Sequence, residues 1–299
     1  MKKLITALLT AMLFAGNAYA AGTLADAKKA YAKRNYAEAI KIYKSLAEQG
    51  DATAQVRLGS MYDTGKGVTQ DYAEAMKWFK LAAAQGNEYA QLLGQLMASK
   101  QGPDEVLKWH RSLAEQGNAP AQVSLGDMYG TGEGIKQDYI EAVKWFKLAA
   151  EQGNAGAQYR LGIMYANERG VTQDYAEAMK WWKLAAEQGN AEAQYNIGVT
   201  YYSGRGVTQD YTEAVKWFKL AAAQGNELAQ SNLGYMYADG QGVAKDNVKA
   251  HMWFNLAAAQ GYKNSEEVRD LIAKKMSAQQ IAQAQKLARK CSARNYKGC

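Results

Sequence analysis

One dipeptide punctuates this chain. Gln-Gly ends phrase after phrase, with its glycines at Gly50, Gly86, Gly117, Gly153, Gly189, Gly225 and Gly261, spaced 36, 31, 36, 36, 36 and 36 residues apart. Nearly the same wording precedes four of them: "KWFKLAAAQG" from Lys77 and again from Lys216, "KWFKLAAEQG" from Lys144, and "KWWKLAAEQG" from Lys180. A catalytic centre is assembled once, from dissimilar residues. A phrase copied at a period in this range marks a supersecondary unit that cannot bury its apolar face alone and is stacked on its neighbours.

The unit from Asn190 to Gly225 predicts two helices. The first, over about residues 191–202, repeats Ala193, Ile197 and Thr200 at helical spacing and stops at "SGRG", where glycine reaches positive φ without penalty. Asp210 then opens the second, with Glu213 three residues on. That spacing predicts a capping box, and it recurs as Asp71/Glu74, Asp138/Glu141 and Asp174/Glu177. Tyr211, Ala214, Val215, Phe218, Ala221 and Ala222 share one side of the second helix. Trp217 and Leu220 widen that side, so Trp217 is expected to be buried between units. Glycine recurs inside the first helix as Gly59, Gly126, Gly162, Gly198 and Gly234. Such a glycine costs about 1 kcal/mol against alanine, and its repetition predicts a close approach of two helix backbones.

The copies divide the chain as follows: 1–20 a leader; 21–50 a shorter capping helix pair; six units at 51–86, 87–117, 118–153, 154–189, 190–225 and 226–261; and 262–299 two capping helices with a tail. Ser277 and Gln280 supply a capping box there. The unit at 87–117 lacks the Gly-x-Gly loop and has Pro103 where its second helix should begin, which predicts a tighter turn and a local change of curvature. Glu168 takes a loop-glycine position, and in the last unit Lys249 replaces the capping glutamate.

The leader, "MKKLITALLTAMLFAGNAYA", runs from basic to apolar to small residues, the pattern of a secretory signal cut after Ala20. Its apolar run is too short to span a bilayer, and no later stretch predicts an integral membrane segment. The expected compartment is the periplasm, with secretion beyond it open. The net charge of +7 is spread over single lysines, without the dense basic block of a nucleic-acid tail, so no nucleic-acid partner is expected. The two cysteines, Cys291 and Cys299, lie close together, which in an oxidising compartment predicts one bridge clipping the tail. His110 and His251 are the only histidines, so no metal site is expected, and no cofactor.

The pattern Ala-x-Ala-Gln-x-x-Leu-Gly-x-Met-Tyr, then Gly-x-Gly-Val-x-x-Asp-Tyr-x-x-Ala-x-x-Trp-Phe, then Ala-Ala-x-Gln-Gly is clear from Ala54 and in the units from Asn118, Asn154, Asn190 and Asn226. It resembles the Sel-one-like repeat (SLR) family, related to tetratricopeptide repeats. The resemblance implies an all-α fold, an α/α solenoid superhelix of helix-turn-helix repeats whose first helices line a concave groove. Positions three, seven and ten of those helices share a face and vary freely, from polar near Ser124 and Asp127 to apolar near Val199 and Tyr235. The candidate protein-binding residues are therefore Arg160, Asn196, Asn232 and Tyr235, with Tyr159 and Tyr195 at the rim. Arg160 and Tyr235 are of the residue types that dominate interfaces.

The function implied is a non-catalytic adaptor of the bacterial periplasm that holds a partner protein in the groove. An immunity protein neutralising a lipase-type effector of type VI secretion is the alternative, and a penicillin-binding or β-lactamase-like protein a third reading. That last reading lacks its chemistry: no serine has lysine three residues on, and the cysteine pairs such relatives carry in their repeats are missing. No enzyme activity is expected, because the carboxylates are taken up as helix caps and two histidines scarcely make a zinc site.

Overall fold

A computed structural model describes residues 22–299, and the predicted leader over 1–20 lies outside them. The described residues form sixteen helices and no strand. Seven pairs follow one another: α1 (Leu24–Ala32) and α2 (Tyr36–Glu48), α3 (Ala52–Thr64) and α4 (Tyr72–Ala84), α5 (Glu88–Gln101) and α6 (Pro103–Glu115), α7 (Ala119–Thr131) and α8 (Tyr139–Glu151), α9 (Ala155–Ala166) and α10 (Tyr175–Glu187), α11 (Ala191–Ser203) and α12 (Tyr211–Ala222), α13 (Glu227–Asp239) and α14 (Asn247–Ala259). The chain ends in α15 (Lys263–Ala273) and α16 (Ala278–Ser292). This is the all-α solenoid of helix-turn-helix repeats that the period predicts. It divides into two compact units, one ending at Leu125 and taking in Glu133–Ile135, the other formed by Gly126–Gly132 and Lys136–Cys299.

A ring set against a glycine joins the two helices of a repeat. In the first unit Phe79 lies on Gly59 and Trp109 on Gly94; in the second, Phe146 lies on Gly126, Trp182 on Gly162, Phe218 on Gly198 and Phe254 on Gly234. A Cβ on Gly198 would stand 2.6 Å from the Phe218 ring, and one on Gly162 2.4 Å from Trp182 Nε1. The close approach expected of these glycines is present, but side-chain rings make it rather than a second backbone. Burial of rings such as Phe218 and Phe254, both at 0% exposure, offsets the cost of about 1 kcal/mol for a helix-interior glycine.

Trp217 departs from its expected place. It is half-buried at the edge of the core around Trp182 and Ile197, and Leu220 beside it is 49% exposed. At 100° per residue the inner face is centred on Ala214, Phe218, Ala221 and Ala222, all at 0% exposure, which turns Trp217 toward its margin. The core joint of this repeat is Phe218.

The capping boxes expected at the second helices are only half formed. Asp71, Asp138, Asp174 and Asp210 each accept two backbone N–H bonds at the helix start. The glutamates do not reach back; Glu74, Glu141, Glu177 and Glu213 pair instead with Lys77, Lys144, Lys180 and Lys216. The reason is that each aspartate N–H already has a partner. It donates to a tyrosine carbonyl of the preceding helix: Tyr62, Tyr129, Tyr165 or Tyr201. Asp246 N–H does the same to Tyr237, so the last repeat keeps its cap although Lys249 replaces the glutamate. The box at Ser277 and Gln280 forms in full.

A buried amide ties repeats together. Gln55, Gln158, Gln194 and Gln230, all at most 6% exposed, donate Nε2 to the carbonyls of Ala47, Ala150, Ala186 and Ala222, near the end of the preceding repeat's second helix. Their Oε1 atoms accept from Gln85, Gln188, Gln224 and Gln260, the glutamines of the Gln-Gly phrase, each at 2.8 Å. In the short repeat Gln91 still donates to Ala83 O, at 3.5 Å, but Gln116 donates to Ser112 O instead of pairing with it. The tight turn expected there is a single residue, Gly102, with Pro103 as the first residue of α6. Glu168 adopts φ 56°, the left-handed value its counterpart Gly65 holds at 67°.

The C-terminal helices close the second unit. Ile272, Ala288 and Cys291 join a core with Phe218, Trp253 and Phe254, and Cys291 is bonded to Cys299 across a Cα–Cα distance of 5.6 Å.

Two outcomes are expected. Urea denaturation of Phe218→Ala should show a loss of about 3–5 kcal/mol, and of Trp217→Ala roughly half that or less; equal losses would refute the ring-on-glycine joint. Thiol counting on unreduced, denatured protein should find none free, and two free thiols would reject the bridge.

Candidate protein-binding face

The variable residues of the first helices lie on α9, α11 and α13, and each helix is started by an asparagine. Asn154, Asn190 and Asn226 accept the N–H of the third helical residue, which sets the same phase in all three helices. Position six then points at position seven of the next repeat. The Tyr159 hydroxyl lies close to Asn196, and the Tyr195 hydroxyl close to Asn232. In α13 Ser231 takes the tyrosine's place, and its Oγ meets Ser265 Oγ of α15 at 3.0 Å. Arg160 occupies position seven of α9, where Val123 rather than a tyrosine stands one repeat earlier in sequence. Its Nε donates to Asp127 Oδ1 at 2.6 Å, and its Nη1 to Gly156 O at 3.4 Å.

The structure therefore sets Tyr159 beside Asn196 and Tyr195 beside Asn232, a ladder of neighbouring pairs. Tyr159 and Tyr195 are half-buried rungs behind the asparagines. Both phenols are pushed above the usual tyrosine value, chiefly by burial, with Glu192 adding to the effect at Tyr159. They stay protonated at neutral pH. Arg160 and Asp127, at 38% and 41% side-chain exposure, form a pair of little energetic weight, so its role is to hold the guanidinium in place. Tyr235 is the open member: it packs edge-on against Phe254 at 4.9 Å between centroids and remains 39% exposed.

The lysines of the second helices are different. Lys144, Lys180 and Lys216 are each matched by a glutamate three residues back, so that stripe is charge-balanced. Arg169 escaped the sequence reading. Its guanidinium lies 5.6 Å from the Tyr139 ring centroid. The signal was available in the loop slot that holds Lys66 in another repeat, since Lys66 lies over Tyr31 in the same way. Among the described residues no group of three or more His, Cys, Asp or Glu could hold a metal, and no helix is long and apolar enough to cross a membrane.

Both histidines are core residues. His110 and His251 are 7% and 3% exposed, and each has an Nδ1 without a hydrogen-bond partner. Burial lowers both pKa values; at His251 nearby Arg269 lowers it further and Asp270 opposes. The unfolded chain thus binds more protons than the folded one once pH drops below about 6.5. Stability is full above that value and is lost as pH falls toward the folded-state pKa. Thermal melts should show a lower midpoint at mildly acidic pH than at neutral pH, and His110→Gln with His251→Gln should flatten that dependence. An unchanged slope in the double variant would assign it elsewhere.

Six segments match the model of the Sel1 repeat: residues 10–51, 52–87, 119–154, 155–190, 191–226 and 228–262. The first covers the N-terminal pair read from sequence as a cap, and the short repeat lies between matches. Among solved structures, the chain is similar to a protective antigen of uropathogenic Escherichia coli strains with an SLR fold, at 35% identity and a TM-score of 0.70, over 88% of this chain and 57% of that one. The chain thus spans little more than half of the antigen's length. A Sel1 repeat protein from Oxalobacter formigenes is 38% identical with a TM-score of 0.60, over 79% of this chain and 70% of the other. An immunity protein from Pseudomonas aeruginosa is 18% identical with a TM-score of 0.38, over 80% of this chain and 84% of that one, a likeness too slight to argue from. No curated protein matches the chain.

Proposed function

This chain belongs to the Sel1 repeat family, whose members are generally protein-interaction scaffolds, and on that premise we propose that it is a non-catalytic periplasmic adaptor that holds a partner protein on the face of α9, α11 and α13. One observation carries the reading. The residues that vary between repeats are not idle surface but pack from one repeat to the next, Tyr159 beside Asn196 and Tyr195 beside Asn232, and Arg160 is bonded to Asp127 of the repeat before. A face held rigid before contact loses little side-chain freedom on binding. Its polar rungs run toward an apolar end at Val199, Leu228 and Tyr235, and an exposed tyrosine there is the residue type on which binding energy concentrates. The leader pattern in the sequence supports export.

The test is capture from a periplasmic extract by the processed chain, with the bound protein identified by mass spectrometry. Tyr235→Ala combined with Leu228→Ser should weaken capture by about tenfold, or roughly 1.4 kcal/mol, while circular dichroism stays unchanged. Lys216→Ala, on the charge-balanced stripe, should have no effect. Undiminished capture by the folded double variant would reject this face as the binding surface.

A further inference from the structure

Where α8 and α9 meet, the second unit has a cavity of about 240 Å³ bounded by Asp127, Tyr139, Phe146, Tyr159, Arg160 and Arg169. Three of these are aromatic walls, and Ile163 and Met164 add apolar surface. Two guanidiniums bear on this one space. The first, Arg160, is neutralised and oriented by Asp127 at 2.6 Å. The second, Arg169, lies over the Tyr139 ring, and among the described residues it makes no ion pair. Glu168 precedes it in the loop but does not bridge to it. The cavity therefore holds one positive charge without a matching negative one, on a side chain already ordered by cation–π contact.

The repeat itself does not require this arrangement. At the position of Arg160 the next two repeats have Asn196 and Asn232, both beside tyrosines. At the position of Asp127 the two repeats after its own have Ile163 and Val199, and the loop slot of Arg169 becomes Arg205 and then Gln241. Paired guanidiniums over aromatic walls occur once, at a place where neither stacking nor capping needs them.

We propose that this cavity receives an acidic side chain of the protein partner, its carboxylate set between Arg160 and Arg169 and its apolar neighbour against Tyr139, Phe146 and Tyr159. This rests on the protein-binding reading above and adds the chemistry of what is bound. Guanidinium matches a carboxylate through parallel N–H bonds. One unmatched charge suits a monovalent carboxylate, and the aromatic walls offer apolar contact to the residue beside it. The cavity adjoins the ladder through Tyr159 and Arg160, so an acidic anchor here is continuous with the face that ends at Tyr235.

The experiment titrates the full processed chain with acetyl-Gly-Glu-Phe-amide, with acetyl-Gly-Gln-Phe-amide and with acetate, while following the arginine Nε–H resonances by NMR. The glutamate peptide should give saturable shifts at Arg160 and Arg169 and bind at least about tenfold more tightly than the glutamine peptide. Added salt should weaken it. Arg169→Gln, an exposed loop change that circular dichroism should show to be folded, should abolish the difference between peptides. Equal binding of the two peptides, or no saturable shift at either arginine, overturns the proposal. So does acetate binding as tightly as the glutamate peptide, because the site would then be one for free carboxylates. The peptide arms do not depend on Tyr235, and capture lost through Tyr235→Ala does not depend on Arg169, so the two readings fail separately.

Discussion

In every full repeat the second helix lays an aromatic ring where the Cβ of a first-helix residue would stand. That contact fixes how near the helices come and how each is rotated about its axis, and the other joints follow from the rotation. With Phe218 seated on Gly198, Gln224 is brought to Gln194 at 2.8 Å, and Gln194 reaches Ala186 of the repeat before. A buried amide left without partners would cost about 1–3 kcal/mol, so the glutamine pair forms only where the ring has set the register. In the short repeat Trp109 still covers Gly94, yet the one-residue turn at Gly102 leaves Gln116 bonded to Ser112.

The same rotation decides which side chains are free for function. The inner faces are spent on rings, alanines and glutamines, and Lys77, Lys144, Lys180 and Lys216 on glutamates of their own helix. The strip that changes from repeat to repeat is that of each first helix, where Tyr159 and Tyr195 lie beside asparagines of the next repeat. The result is a surface whose shape is set by the fold and whose chemistry changes from repeat to repeat, with guanidiniums at α9 giving way to a tyrosine at α13.

The repeating parts were legible in the sequence because repetition is itself the signal. Helix ends at Asp210 and Gly204, the inner face around Phe218, the caps beyond Gly261 and the pairing of Cys291 with Cys299 could all be read from spacing. Trp217 was misplaced because residues one apart on a helix differ by 100°, and a wide apolar face does not show its own centre. The glutamate half of the capping box was misread for another reason. Whether Glu213 reaches back depends on a carbonyl of the previous helix, Tyr201 O, which only the packed structure brings to the Asp210 N–H. Arg169 was passed over because its partner ring lies thirty residues away and its meaning depends on a cavity.

The glutamine pair also gives the array a direction and a joint. In the repeats at 51–86, 154–189, 190–225 and 226–261 the buried glutamine donates backward to an alanine carbonyl and accepts from the glutamine that ends its own repeat, so each of them presents the same socket and the same plug. Removing residues 190–225 as a block would set Gln230 against Ala186 O and Tyr159 against Asn232, the same contacts with new owners. A copied block would be taken up in the same way. The chain can therefore lengthen or shorten by whole repeats without redesign at the seam, and the partner it grips can change in size by steps of one helix pair.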